Sequence, residues 1–146
     1  MSVSGALSRL AALRCEGVAA EQHYSLGASK PDLATEALIF YSFASSEGWE
    51  FEPEDYDAGA ATLQMGVVAT LVIEPYRGRG QPGAVASLPM WIQRLMDMLA
   101  SDLLLDDNLA RPMSGRLRKA GVLDGSQLRY LGLVIDLNLL IRIEAS

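Results

Sequence analysis

Between Thr62 and Glu74 the odd positions, Leu63, Met65, Val67, Ala69, Leu71 and Ile73, are apolar, while Thr62, Gln64, Gly66, Thr70 and Glu74 hold even ones. Period two marks a strand with one buried face, because successive side chains of an extended chain point to opposite sides. Pro75 stops the run. The pattern returns more cleanly near the C-terminus, where Leu131, Leu133, Ile135, Leu137, Leu139, Ile141 and Ile143 alternate with residues such as Gly132, Asp136, Asn138, Arg142 and Glu144. Ala37–Ser45 (ALIFYSFAS) is rich in β-branched and aromatic residues and also reads as a strand. It sets Leu38, Phe40 and Ser42 on one face and Ile39, Tyr41 and Phe43 on the other, both faces covered over its first half. From Leu88 the period becomes helical: Leu88, Trp91, Ile92, Leu95, Leu99 and Leu103 form a stripe, with Ser87 as N-cap and Pro89 tolerated in the first turn. A shorter amphipathic helix is predicted over Val3–Arg14 on Leu7, Leu10, Ala11 and Arg14, capped by Ser4 and ended by Gly17.

The connections are less regular. EGWEFEPEDYDAG interleaves Trp49, Phe51 and Tyr56 with acids, and its Pro53 and Gly59 argue against a central strand, so it reads as an acidic connection between antiparallel strands. Asp106, Asp107 and Asn108 end the main helix in a polar turn. Residues 111–129 read as a basic connection holding one short helix around Ser114–Lys119. Strands 37–45 and 60–74 lie too close in sequence for a helical crossover. The expected class is therefore α+β, one domain over 1–146: a mostly antiparallel sheet of three to four strands packed against one main helix, plus a short N-terminal helix.

Composition adds bounds. A chain of 146 residues is long enough for one sizeable core. Half its residues are hydrophobic, yet no apolar run approaches the roughly 20 residues of a membrane-spanning helix, so a soluble protein is expected. The N-terminal MSVSGALSRLAALRCEG lacks a basic start and a continuous apolar stretch, which does not read as a secretory signal; synthesis in the cytoplasm is expected. Cys15 is the lone cysteine, excluding an intrachain disulfide and a cysteine-based zinc cluster.

The formal charge of −6 conceals a segregation. Residues 31–76 carry nine acids and no Lys or Arg, whereas residues 111–129 carry five bases against one acid, Asp124. Charge runs are ordinarily solvated faces. Fields of opposite sign on one subunit also steer association and fix register.

The sharpest chemical motif is Gly78, Gly80 and Gly83, which spell G-x-G-x-x-G between a strand and a helix, as a dinucleotide site requires. Four residues separate the strand's last apolar position from Gly78, Pro82 interrupts the motif, and the strand has one polar face, so the loop reads as a surface arm. His23 is the only histidine; with Cys15 it supplies the elements of a thiol–imidazole pair, but Cys15 in an apolar helix reads as a core residue. The carboxylates Glu50, Glu52, Glu54, Asp55 and Asp57 lack the spacing and loop glycine of an EF-hand, and Asp102, Asp106 and Asp107 read as solubilising residues at a helix end. Arg77, Arg79, Arg111, Arg116, Arg118 and Lys119 offer phosphate contacts, but a pI near 4.7 and the lack of a reader motif argue against a nucleic-acid module. No catalytic, cofactor-binding or metal-ligating residue is assigned.

In order and character, the helix, ALIFYSF, the acidic connection, LQMGVVATLVIEPY, the loose loop, LPMWIQRLMDML, the basic connection and LRYLGLVIDLNLLIRIE resemble the tail terminator proteins of long-tailed bacteriophages, the lambda type. The similarity is one of pattern across nearly the whole chain, without a diagnostic short motif. It implies a structural virion protein without enzymatic activity, assembled in the host cytoplasm. As a hexameric ring it would cap the head-proximal end of the tail tube, stop tube polymerisation and meet the head connector, with DNA only passing through its lumen. A closing ring needs two different complementary surfaces on one subunit. The candidates are Glu50, Glu52, Glu54 and Asp55 on one side and Arg116, Arg118 and Lys119 on the other, with Arg77, Arg79 and Gln81 as the loop that reaches the tube or connector. The alternatives are another neck, tail-completion or connector protein, a small enzyme binding a nucleotide at Gly78–Gly83, or a DNA-binding module.

Overall fold

The structure, a computed structural model, describes residues 2–26, 36–43, 50–53, 60–76, 85–124 and 129–144, with 50–53, 60 and 144 described by their backbone. Its centre is a pair of 16-residue antiparallel strands, β4 (Ala60–Pro75) and β6 (Arg129–Glu144), the two alternating segments of the sequence. They pair from Ala60↔Glu144 to Pro75↔Tyr130, with one bulge between Val72 and Glu74. Such length follows from composition, since both strands put an unbroken apolar row on one side.

Outside β4 lie β2 (Leu38–Phe43), antiparallel along Val67–Val72, and β3 (Glu50–Pro53), antiparallel along Ala61–Gln64. β1 (His23–Tyr24) adds a short parallel pair to β2, and β5 (Ser114–Asp124) runs antiparallel to β6 at the other edge. The path is β1-β2-β4-β6-β5 with β3 beside β2 on β4. The α+β class and the mostly antiparallel sheet hold; the sheet is wider than three to four strands and contains a parallel pair.

The largest correction is β5: the segment expected to hold a short helix around Ser114–Lys119 is an 11-residue strand. Its sequence conceals this because a strand on an open edge has no face that must be apolar, and its first seven residues are exposed. β3 is the second correction, a strand inside the acidic connection. Pro53 is compatible with it because β3 borders the sheet and ends there.

Helix α1 (Val3–Ala12) and helix α2 (Leu88–Ala100) cover one face of the sheet. Ser2, not Ser4, caps α1: its Oγ accepts the Gly5 N–H at 2.8 Å. Gly17 lies beyond the helix end, at φ +88 in the following turn, against the Trp91 ring. In α2, Trp91, Leu95 and Leu99 are buried as the stripe predicts and Met98 is buried beside them, whereas Leu103 falls past the helix and is exposed. After α2 the chain turns through three consecutive left-handed residues, Leu105, Asp106 and Asp107. Asn108 anchors that turn: its Nδ2 donates to the Leu105 carbonyl at 2.7 Å and its Oδ1 accepts the Ser2 N–H at 3.0 Å. The core between helices and sheet is built on Leu10, Ile39, Met65, Leu71, Leu95, Leu133, Leu139 and Ile141. No helix among the described residues is long and apolar enough to cross a membrane.

Candidate functional site: the charged edges of the open sheet face

The helices leave the other sheet face without a second layer among the described residues. It takes the even positions of β4, of which Val68, Thr70 and Val72 are buried; Tyr24, Phe40 and Tyr130 pack around Leu38 and Val72 as a small second cluster. Beside this cluster an open groove of about 620 Å³ runs from Phe40 and Phe43 on β2, over Val68, Thr70 and Val134, to Arg118 and Lys119 on β5.

Strand register places the charges on this open face. Glu52 is opposite Thr62, itself opposite Arg142; Glu50 is opposite Gln64, itself opposite Leu140. Across the sheet, Arg116 is opposite Asp136, itself opposite Val68, and Lys119 is opposite Val134, itself opposite Thr70. The fold therefore brings Glu50 and Glu52 to one edge and Arg116 and Lys119 to the diagonally opposite edge, all on one face. Arg118, the extra residue of the bulge between Leu117 and Lys119, is spent within the chain: its Nε donates to Asp136 Oδ2 at 3.1 Å and its Nη2 to Oδ1. That carboxylate pushes the guanidinium pKa up. Arg116 and Lys119 have no ion-pair partner among the described residues. At the acidic edge one base intrudes, Arg142, whose Nε is buried without a hydrogen-bond partner among the described residues.

Glu54, Asp55, Arg77, Arg79, Gln81 and the glycine motif Gly78–Gly83 lie outside the described residues. The structure does join the other candidate pair. Cys15, beyond the end of α1, donates its backbone N–H to His23 Nε2 at 3.1 Å, and His23 Nδ1 donates to the Ala19 carbonyl at 2.9 Å. The imidazole is occupied by main chain on both nitrogens, and burial pushes the Cys15 thiol up to about 11, leaving it protonated at neutral pH. This is a turn clasp, not an activated nucleophile. Asp102 is not simply solvated: it accepts Arg9 Nε at 2.6 Å and the Asp106 N–H at 3.0 Å, and Arg9 holds its carboxyl below the usual range. No group of three metal-ligating side chains occurs among the described residues.

Sequence reasoning missed Asp136 as the neutraliser of Arg118 and missed that the acidic and basic segments are both edge strands. A signal for the second was present in the alternation Glu50-Phe51-Glu52, period two inside the acidic run. The chain matches no protein-family model and no curated protein.

Proposed function

We propose that this chain is a structural virion protein, a tail terminator that closes as a hexameric ring on the head-proximal end of a long-tailed phage's tail tube. There it halts tube polymerisation and presents a surface to the head connector. The observation that carries the reading is the pair of oppositely charged sheet edges on one open face. Two different complementary surfaces on one subunit are what a head-to-tail ring requires, since self-complementary patches give two-fold dimers. Arg77, Arg79 and Gln81, which lie outside the described residues, are assigned to contact with the tube or connector.

Negative-stain imaging of the purified protein, alone and mixed with tail tubes, tests the reading. The expected result is closed rings in solution or at one end of the tubes, and tubes of defined length when the protein is present during their assembly. A protein monomeric by light scattering at low salt, that also leaves tube ends bare, would overturn it. Binding at the opposite tube end would reassign it to another tail-completion role.

A further inference from the structure

We propose that neighbouring copies join edge to edge, strand β5 of one pairing antiparallel with strand β3 of the next, so that Glu52 lies beside Arg116, Phe51 beside Leu117 and Glu50 beside Lys119. The proposal rests on the ring reading above and names its contact.

Both strands border the sheet. β5 ends the strand path, and among the described residues β3 pairs only with β4. An exposed edge is a template for another strand. Direction fits as well: β3 is antiparallel to β4, β4 to β6 and β6 to β5, so β3 and β5 run oppositely. Copies related by rotation without inversion therefore meet as an antiparallel pair.

The side-chain pattern fits on both faces. Glu50, Glu52, Arg116 and Lys119 share the open face, while Phe51, opposite Leu63, and Leu117, opposite Ile135, share the helix face. Glu-Phe-Glu thus meets Arg-Leu-Lys with charges opposed on one side and apolar groups on the other; directly opposed pairs of both kinds stabilise sheets. Leu117 is 38% exposed in the single chain and would be covered by this contact. The bulge makes the register work, because Arg118 is set out of step to hold Asp136, leaving Arg116 and Lys119 on the same face.

The geometry is also compatible with closure. Projected onto β4, Glu52 falls at Thr62 and Arg116 at Val68, and Glu50 at Gln64 and Lys119 at Thr70, the same six-residue stagger twice. Six residues rise about 20 Å, while the step from β3 to the next copy's β3 is four strand spacings, about 19 Å. Strands would tilt by about 45° to the ring axis, at the upper end of the range in closed sheets. Charged edges and bulges also serve to discourage pairing. Here they reject β5 against β5 and β3 against β3, which leaves the head-to-tail contact favoured.

The test is a Phe51→Cys/Leu117→Cys double variant of the full chain, oxidised mildly with and without tail tubes; native Cys15 is buried and does not compete. The expected result is a ladder of disulfide-linked multimers ending at the ring, absent from each single variant and from Phe51→Cys/Leu103→Cys. In parallel, Glu50→Lys/Glu52→Lys and Arg116→Glu/Lys119→Glu should each weaken association about tenfold by sedimentation, and their combination should restore it, with circular dichroism unchanged. Assembly without the ladder and without charge rescue overturns the pairing and leaves the ring standing. A monomer under every condition overturns both.

Discussion

Strand β6 has two neighbours of opposite character. Against β4 it forms the centre of the molecule, where Leu71, Leu133, Leu139 and Ile141 are fully or almost fully buried and the register runs nearly the length of both strands. Against β5 it meets a strand whose first seven residues are exposed and whose charged side chains outnumber its large apolar ones. Backbone hydrogen bonding builds both pairs. What differs is what the side chains have to do: at the centre they exclude water and fix the fold, at the edge they remain available. Stability and assembly should accordingly separate in mutants of the two pairs.

The widest separation is expected between two leucines. Leu139→Ala removes a side chain with no exposed surface and should cost about 2–5 kcal/mol in denaturant unfolding, a loss large enough to threaten folding itself. Leu117→Ala, at the exposed edge, should change stability by no more than about 0.5 kcal/mol while reducing association of copies. Equal losses of stability at the two positions would remove the distinction between core and contact strand.

A closer comparison is available in two glycines that face each other across β5 and β6. A Cβ on Gly132 would stand 2.3 Å from the Leu71 carbonyl oxygen, a backbone atom that cannot step aside, so Gly132→Ala should cost about 3 kcal/mol or more. Gly121 has open space around it but φ +139, so Gly121→Ala meets only backbone strain, about 1–2 kcal/mol. Thermal melts of the two variants check the order; a larger loss at Gly121 would contradict the assignment of β5 as the loosely packed side.

The same contrast explains what could be read from the sequence. β4, β6 and α2 were legible because burial of one face forces periodicity, and Leu63 to Ile73, Leu131 to Ile143 and Leu88 to Leu99 display it. β5 was illegible because nothing buries its first seven residues, so Gly115, Arg116, Arg118 and Lys119 show no period of two and read as a basic connection with a short helix. Gly115 has its own reason, since a Cβ there would stand 2.8 Å from the Asp136 carbonyl oxygen. β1 was missed because two residues cannot show a period, and its place depends on the contact with Ile39 and Phe40, distant in sequence. At the candidate site the charge segregation was visible, but its geometry required the register of four strands.

The smallest effect expected here concerns the clasp that precedes β1. Burial holds the His23 pKa below its usual value, since the charged ring is poorly solvated, and Nε2 must stay unprotonated to accept the Cys15 N–H. Between the folded value and the ordinary value near 6.5 the unfolded chain binds more protons at this site than the folded one, so stability rises with pH through that window. The contribution is complete above about pH 6.5 and is lost as pH falls toward the folded value. The contribution of Asp102, whose pKa is lowered mainly by its hydrogen bond from Arg9, is lost in the same direction, but its loss begins only as pH falls toward the ordinary carboxylate value, below the interval from pH 7.5 to 5.5. Melting temperatures at pH 7.5 and 5.5 should therefore show a small drop in the wild type that is absent in His23→Gln. An identical drop in both would place the titrating group elsewhere, whereas the flattened variant would show that the edge of the sheet beginning at His23 is held by a neutral imidazole.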